Sequence, residues 1–192
     1  MIVRRLAASA VLALAAATVF VLRLGDHPAP QAAAAQTETT PSGIDVHYAQ
    51  MMVDHHEQAV AMSRTLLAKG GVPERVRLIA DYIIHDQQRE IDETTDWLSA
   101  WNEPSPSAGG PAHGMLSPAQ LTELDHASRD AAPNVYLRLM IEHHRGAITM
   151  SRSLLDGPSG NPYIHSLAKH VLNEQSSEVD AMAALIRSDS PS

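Results

Sequence analysis

Two pairs of adjacent histidines, His55-His56 and His143-His144, stand 88 positions apart in the same local surroundings. A methionine lies three residues before each pair, Met52 and Met140, and another lies seven residues after its first histidine, Met62 and Met150. Further along, each pair is followed by a Gln-x-x-Glu: Gln87 and Glu90, then Gln175 and Glu178. Imidazole, thioether and carboxylate are all metal-binding groups. Met favours Cu(I) and His accepts Cu(II), whereas iron, manganese and zinc gain little from thioether sulfur. The chain has 8 Met and 11 His but no Cys. Disulfides, thiolate catalysis and Cys-based zinc sites are therefore excluded, and any soft ion must be held by Met and His.

The surroundings repeat because the chain repeats. The segment from Tyr48 to Leu67 aligns without a gap with the segment from Tyr136 to Leu155, and the register carries on until Gln87, Glu90 and Asp92 fall on Gln175, Glu178 and Asp180. This is an internal duplication. Each copy reads as two helices. In the first, Ser42 is the expected N-cap with Asp45 three residues on, Gly70-Gly71 stops the helix, and Pro73 opens a second that runs to about Trp101. In the second copy, Pro133-Asn134 opens one helix and the Gly157 to Gly160 stretch closes it; Asn161-Pro162 opens another that ends near Arg187. A Pro/Gly/Ser linker from Asn102 to Leu116 joins the copies, followed by a short helix with a capping box at Ser117 and Gln120. Two hairpins joined by one crossover predict an all-α four-helix bundle.

Spacings of three and four residues assign the buried stripes. They run through Met52, His55 and Met62 on the first helix, Gln87 and Glu90 on the second, Met140, His143 and Met150 on the third, and Gln175 and Glu178 on the fourth. If each hairpin folds about its loop, His55 comes level with Gln87 and Glu90, and His143 with Gln175 and Glu178. His56 and His144 lie one step round their helices, so spacing alone leaves either histidine of each pair as the ligand. Burying carboxylates and amides without partners costs a few kcal/mol each. A metal ion would satisfy them, and so would a metal-free hydrogen-bonded network that fixes helix register. Met alone would read as core filler, and Met51, Met115, His47, His113 and His85 read as surface or loop residues. The two-fold repetition of His with Met favours the metal.

The charge balance, 14 basic against 22 acidic residues for a net −8, argues against nucleic-acid binding. The N-terminus has the form of an export signal: Arg4 and Arg5, an apolar run from Leu6 to Leu22, then Arg23 and a Pro/Ala-rich stretch. The expected organisation is a signal peptide or signal anchor over 1–25, a linker over 26–41, and a bundle over 42–188. Within the bundle the repeats span 42–101 and 133–187. Either fate of the signal puts the folded part outside the cytoplasm, in the periplasm or cell envelope, with a membrane attachment if the segment is not cleaved.

The duplicated Met52-Val53-Asp54-His55-His56 and Met140-Ile141-Glu142-His143-His144 motifs, each followed by Gln-x-x-Glu, resemble the bacterial domain of unknown function family 305 over about Asp45 to Arg187. The resemblance implies a ferritin-like four-helix bundle, usually exported, with some members that bind copper and take part in copper tolerance. It carries the family pattern onto Met52, His55, His56, Met62, Gln87, Glu90, Met140, His143, His144, Met150, Gln175 and Glu178. The leading expectation is an exported protein that sequesters or delivers copper as Cu(I) or Cu(II), with iron or another divalent metal second. A non-catalytic accessory subunit of a membrane complex is the alternative. A di-metal oxidase is third, because ferritin-like di-iron sites use four Glu and two Glu-x-x-His pairs whereas this core supplies two carboxylates. No arrangement of nucleophile, base and acid for hydrolysis is visible.

Overall fold

The computed structural model describes residues 39–104 and 114–188. The expected signal segment, most of the linker that follows it, and His113 lie outside the described residues. The described part is all-helical: α1 (Gly43–Ala68), α2 (Glu74–Ala100), α3 (Pro118–His126), α4 (Ala132–Leu155) and α5 (Pro162–Ser188). No strand occurs among the described residues, and none of their helices is long and apolar enough to cross a membrane.

The helix starts follow the capping chemistry legible in the sequence. Ser42 Oγ accepts from the Asp45 amide while the Asp45 carboxylate accepts from the Ser42 amide, a complete capping box. Ser117 and Gln120 repeat it at α3, and Asn161 Oδ1 accepts from the amides of Tyr163 and Ile164 at the start of α5. α1 ends at Gly70 and Gly71, both with positive φ (68° and 67°), a conformation costly for any residue with a Cβ. α4 begins one residue earlier than the proline signal suggests, at Ala132, with Pro133 in its first turn where a missing amide proton costs nothing.

α1 packs against α2 and α4 against α5, so each sequence repeat is one hairpin, and the hairpins meet chiefly along α1 and α4. Two reciprocal hydrogen bonds mark the approximate two-fold relation across that interface. Tyr48 Oη pairs with Ser151 Oγ at 2.8 Å, and the equivalent Tyr136 Oη pairs with Ser63 Oγ at 2.8 Å. Each buried phenol thus has a partner from the opposite repeat, which holds the register of the two helices.

The apolar core is divided. One cluster contains Met62, Ile83, Leu139, Met140 and Met182; another contains Met52, Leu98, Ala147 and Val171, with Met150 packed against it. Along all four long helices the His, Gln and Glu positions fall between these clusters. They form a polar layer with apolar packing on both sides.

The linker between repeats crosses this layer at equivalent places on α1 and α4. Position 58 of the first repeat corresponds to position 146 of the second. Gln58 clamps the linker, accepting from the Leu116 amide at 2.7 Å and donating to the Leu116 carbonyl at 3.2 Å. At the other site a side chain would be in the way. A Cβ on Gly146 would stand 2.4 Å from the Gly114 carbonyl oxygen, and Gly114 itself has φ +77°. The repeat therefore breaks at this pair because one copy must hold the crossing chain and the other must let it pass.

Candidate metal site

All four histidines of the two pairs are buried, at 1% exposure or less. They have two different roles. His55 and His143 lie against each other across the α1–α4 interface, ring centroids 3.7 Å apart and planes inclined by 40°. His56 and His144 turn within their own hairpins to the glutamates: His56 Nε2 to Glu90 Oε2 is 2.6 Å, and His144 Nε2 to Glu178 Oε2 is 2.7 Å. Sequence spacing puts His55 and His143 level with the glutamates, and the level is right. The direction differs, because one residue of helix is about 100° of rotation: the first histidine of each pair faces the other repeat, and the second faces the glutamate.

These contacts constrain where protons sit. A neutral imidazole whose Nε2 is hydrogen-bonded to a carboxylate carries its proton there, leaving Nδ1 with a free lone pair. His56 Nδ1 and His144 Nδ1 are buried and hydrogen-bonded to nothing among the described residues. Neither ring nitrogen of His55 or His143 has a hydrogen-bond partner of good geometry, and the same holds for the side-chain oxygen and nitrogen of both Gln87 and Gln175. Buried polar atoms are usually satisfied, and leaving one unsatisfied costs about 1–3 kcal/mol. The imidazole lone pairs and amide oxygens left unpaired in this layer fit a cation.

Electrostatics keep the facing pair in its metal-competent form. Burial, reinforced by the neighbouring His56 and His144, pushes the His55 imidazolium down from 6.5 to about 3; the backbone at Gly114 opposes this weakly. Burial and the proximity of the other three histidines hold His143 well below its ordinary value in the same way. Neutral imidazole is the form that ligates metal, so neither ring needs to shed a proton near neutral pH.

The remaining expected ligands are distributed as follows. Met52, Met62 and Met140 are buried on either side of the layer. Met150 departs from the expected buried stripe. It is half-buried and, with Met51, His47 and Gly114, lines an open, mainly apolar cavity of about 600 Å³ beside the layer. Gln87, Glu90 and Gln175 are buried, while Glu178 retains 10% exposure. One neighbour of the layer was not legible: His170 on α5 approaches Glu90 Oε1 to 2.9 Å. Its signal in the sequence was a departure from the repeat, since the corresponding residue of the first copy is Tyr82.

Against known proteins, the family model described as "Domain of unknown function (DUF305)" matches residues 45–186. No curated protein matches the chain. Among solved structures, the chain is similar to a DUF305 fragment from Deinococcus radiodurans, with 28% identity, 77% of this chain and 97% of that chain covered, and a TM-score of 0.70. It is similar to a DUF305 protein from Streptomyces coelicolor, with 30% identity, 76% and 93% coverage, and a TM-score of 0.69. It is also similar to CopM in its Cu(I)-bound form, with 29% identity, 75% and 96% coverage, and a TM-score of 0.62; CopM has also been solved with Cu(II) and with silver. With a family match over most of its length, and a histidine layer at the position of the duplicated motif, this chain belongs to the DUF305 family.

Proposed function

We propose that this protein is an exported copper-binding protein that sequesters the ion or passes it on, with the ion held in the histidine layer of a ferritin-like four-helix bundle. The observation that carries the reading is the set of buried nitrogens on His55, His56, His143 and His144 that lack a hydrogen-bond partner of good geometry among the described residues. In this reading His55 and His143 supply one nitrogen each, and His56 and His144 supply Nδ1. Glu90 and Glu178 orient the latter two from outside the coordination sphere, the common arrangement of a carboxylate behind a ligating histidine. Met52, Met62, Met140 and Met150 supply soft donors for the reduced ion, and Gln87 and Gln175 line the layer. Two imidazoles and two thioethers from each repeat, with the carboxylate behind a histidine rather than on the ion, favour copper over iron. The copper- and silver-bound states of CopM support this choice at the level of the family.

Export rests on the N-terminal segment 1–25, whose charged start and apolar run have the form of a signal or anchor, followed by the linker 26–41 and the bundle 42–188. The Streptomyces coelicolor relative carries the description of a secreted protein, which agrees with it. A di-iron type of oxidase is disfavoured because both core carboxylates already face histidine nitrogens.

The test is metal content by elemental mass spectrometry after exposure to copper, iron, zinc and manganese in competition, followed by desalting. Near-stoichiometric retained copper, lost in a folded His55→Ala, His143→Ala double variant, is the expected result. Retention of no metal, or unchanged stoichiometry in that variant, would overturn the reading.

A further inference from the structure

The two repeats differ at a place that bears on metal chemistry. Position 82 in the first copy is Tyr82, and the equivalent position in the second is His170. Both project toward acidic residues of the opposite hairpin. Tyr82 donates to Glu174, whereas His170 Nε2 lies 2.9 Å from Glu90 Oε1 and 4.0 Å from Asp86 Oδ2. From these contacts we propose that Asp86, Glu90 and His170 form a second cation site at the rim of the helices, one per chain, selective for a divalent first-row ion of the Zn²⁺ class rather than for Cu(I).

The three ligand atoms lie within 4.8 Å of one another. Zinc bonds of about 2.0–2.2 Å in a tetrahedron place ligand atoms roughly 3.5 Å apart, so a small side-chain adjustment closes the site. The carboxylate at its centre is not a surface group: Glu90 is 4% exposed. Its Oε1 and His170 Nε2 are both fully covered, stand at contact distance, and yet make no hydrogen bond of good geometry with each other or with any other described residue. Two covered atoms that meet at ion-pair distance without hydrogen-bond alignment are placed to share one ion.

The neighbours fix the remaining valences. Arg89 holds Asp86 Oδ1 at 2.6 Å, which leaves Oδ2 for the site. Glu174 Oε2 stands 4.0 Å from His170 Nε2 and is the nearest further donor. Two carboxylates and one imidazole without sulfur form a harder set than the core layer, which suits zinc and other borderline divalent ions. With the His170 ring 42% exposed, the site opens to solvent. Glu90 joins it to the core, since its other oxygen holds His56. In the second half Glu174 and Glu178 are present, but the phenol of Tyr82, hydrogen-bonded to Glu174 and thereby held in its protonated state, replaces the imidazole. That half has no equivalent site.

The repeat supplies its own controls. Apo full-length protein is titrated with Zn²⁺ by calorimetry and with Co²⁺ by its visible absorption, while Cu(I) is titrated separately against a chelator. The wild type is expected to take one Co²⁺ in a nitrogen/oxygen environment. His170→Tyr, which copies the residue already accommodated in the first repeat, should weaken Co²⁺ and Zn²⁺ binding at least tenfold and leave Cu(I) stoichiometry unchanged. Asp86→Asn, at a half-buried position, should weaken the same ions. Tyr82→His should add a second Co²⁺ equivalent. Absence of Co²⁺ binding in the wild type, or wild-type affinity in His170→Tyr, would overturn the rim site. Neither result would touch the copper reading, which fails if copper is not retained or if the His55→Ala, His143→Ala variant retains it unchanged.

Discussion

His55 and His143 come from opposite repeats and lie with ring centroids 3.7 Å apart, neither ring making a hydrogen bond of good geometry. As structural residues they are a poor choice, since each leaves buried polar atoms unsatisfied at about 1–3 kcal/mol per group. A pair kept for ligation should therefore stabilise the metal-free protein when replaced by hydrocarbon. His55→Leu with His143→Leu is expected to abolish copper retention and hold or raise the Tm of the apo protein, by about 2–4 °C for each kcal/mol recovered in a domain of this size. Thermal unfolding by circular dichroism checks it; a clear loss of stability would show that the rings serve packing instead.

The same pair makes stability depend on pH. In the unfolded chain the rings take up protons near pH 6.5; in the fold His55 does so only at about 3, and His143 is shifted in the same direction. Between these values the unfolded state binds more protons, so stability is intact above about pH 6.5 and falls as pH drops through the window toward 3. The slope is at most about 1.4 kcal/mol per pH unit for each histidine. Urea unfolding of the apo protein at pH 7.5, 6 and 5 should show a falling midpoint that the double leucine variant flattens. A flat wild-type profile would mean that the rings are solvated.

The linker crossing predicts a loss of stability at both equivalent positions for opposite reasons, added bulk at one and a lost clamp at the other. Gly146→Ala places a Cβ 2.4 Å from the Gly114 carbonyl oxygen, where backbone rather than a flexible side chain must move. We expect a loss of about 1–3 kcal/mol, as for overpacked sites. Gln58→Ala removes two hydrogen bonds to Leu116 and should cost on the order of 1–2 kcal/mol. Gln58→Gly with Gly146→Gln, a swap of the two residues between repeats, should lose both effects at once. Denaturant midpoints of the three variants decide it.

The elements were legible in the sequence because their signals are local. Ser42 with Asp45, Ser117 with Gln120 and Asn161 before Pro162 are caps whose hydrogen bonds form within a few residues. The level of the polar layer could also be read, since hairpin folding fixes which residues come side by side. The direction of each ring was a different matter. His55 and His56 differ by a rotation that decides between a neighbouring helix and the opposite repeat, and spacing leaves both available until α1 has packed on α4. His170 was invisible for a related reason. Its partner Glu90 is 80 residues away in sequence, and only the break in the duplication, Tyr82 against His170, pointed to it.

The placing of Glu178 behind His144, rather than on the metal, can be separated experimentally from direct ligation. Glu178 is the cleaner of the two glutamates because Glu90 also faces His170. Glu178→Gln keeps an oxygen that can accept from His144 Nε2 but removes the negative charge that fixes the tautomer and raises ligand basicity. Loss of such an orienting partner typically weakens metal binding by about 10–100-fold without changing the number of ions bound. We therefore expect copper affinity, measured by chelator competition, to fall within that range at unchanged stoichiometry. Glu178→Leu, which cannot accept a hydrogen bond at all, should fall further and also lower the Tm, since Nε2–H is then buried without a partner. If Glu178 were itself a ligand, both variants would lose the ion outright or bind fewer equivalents. If Glu178 only fixed helix register, Glu178→Gln would keep full affinity.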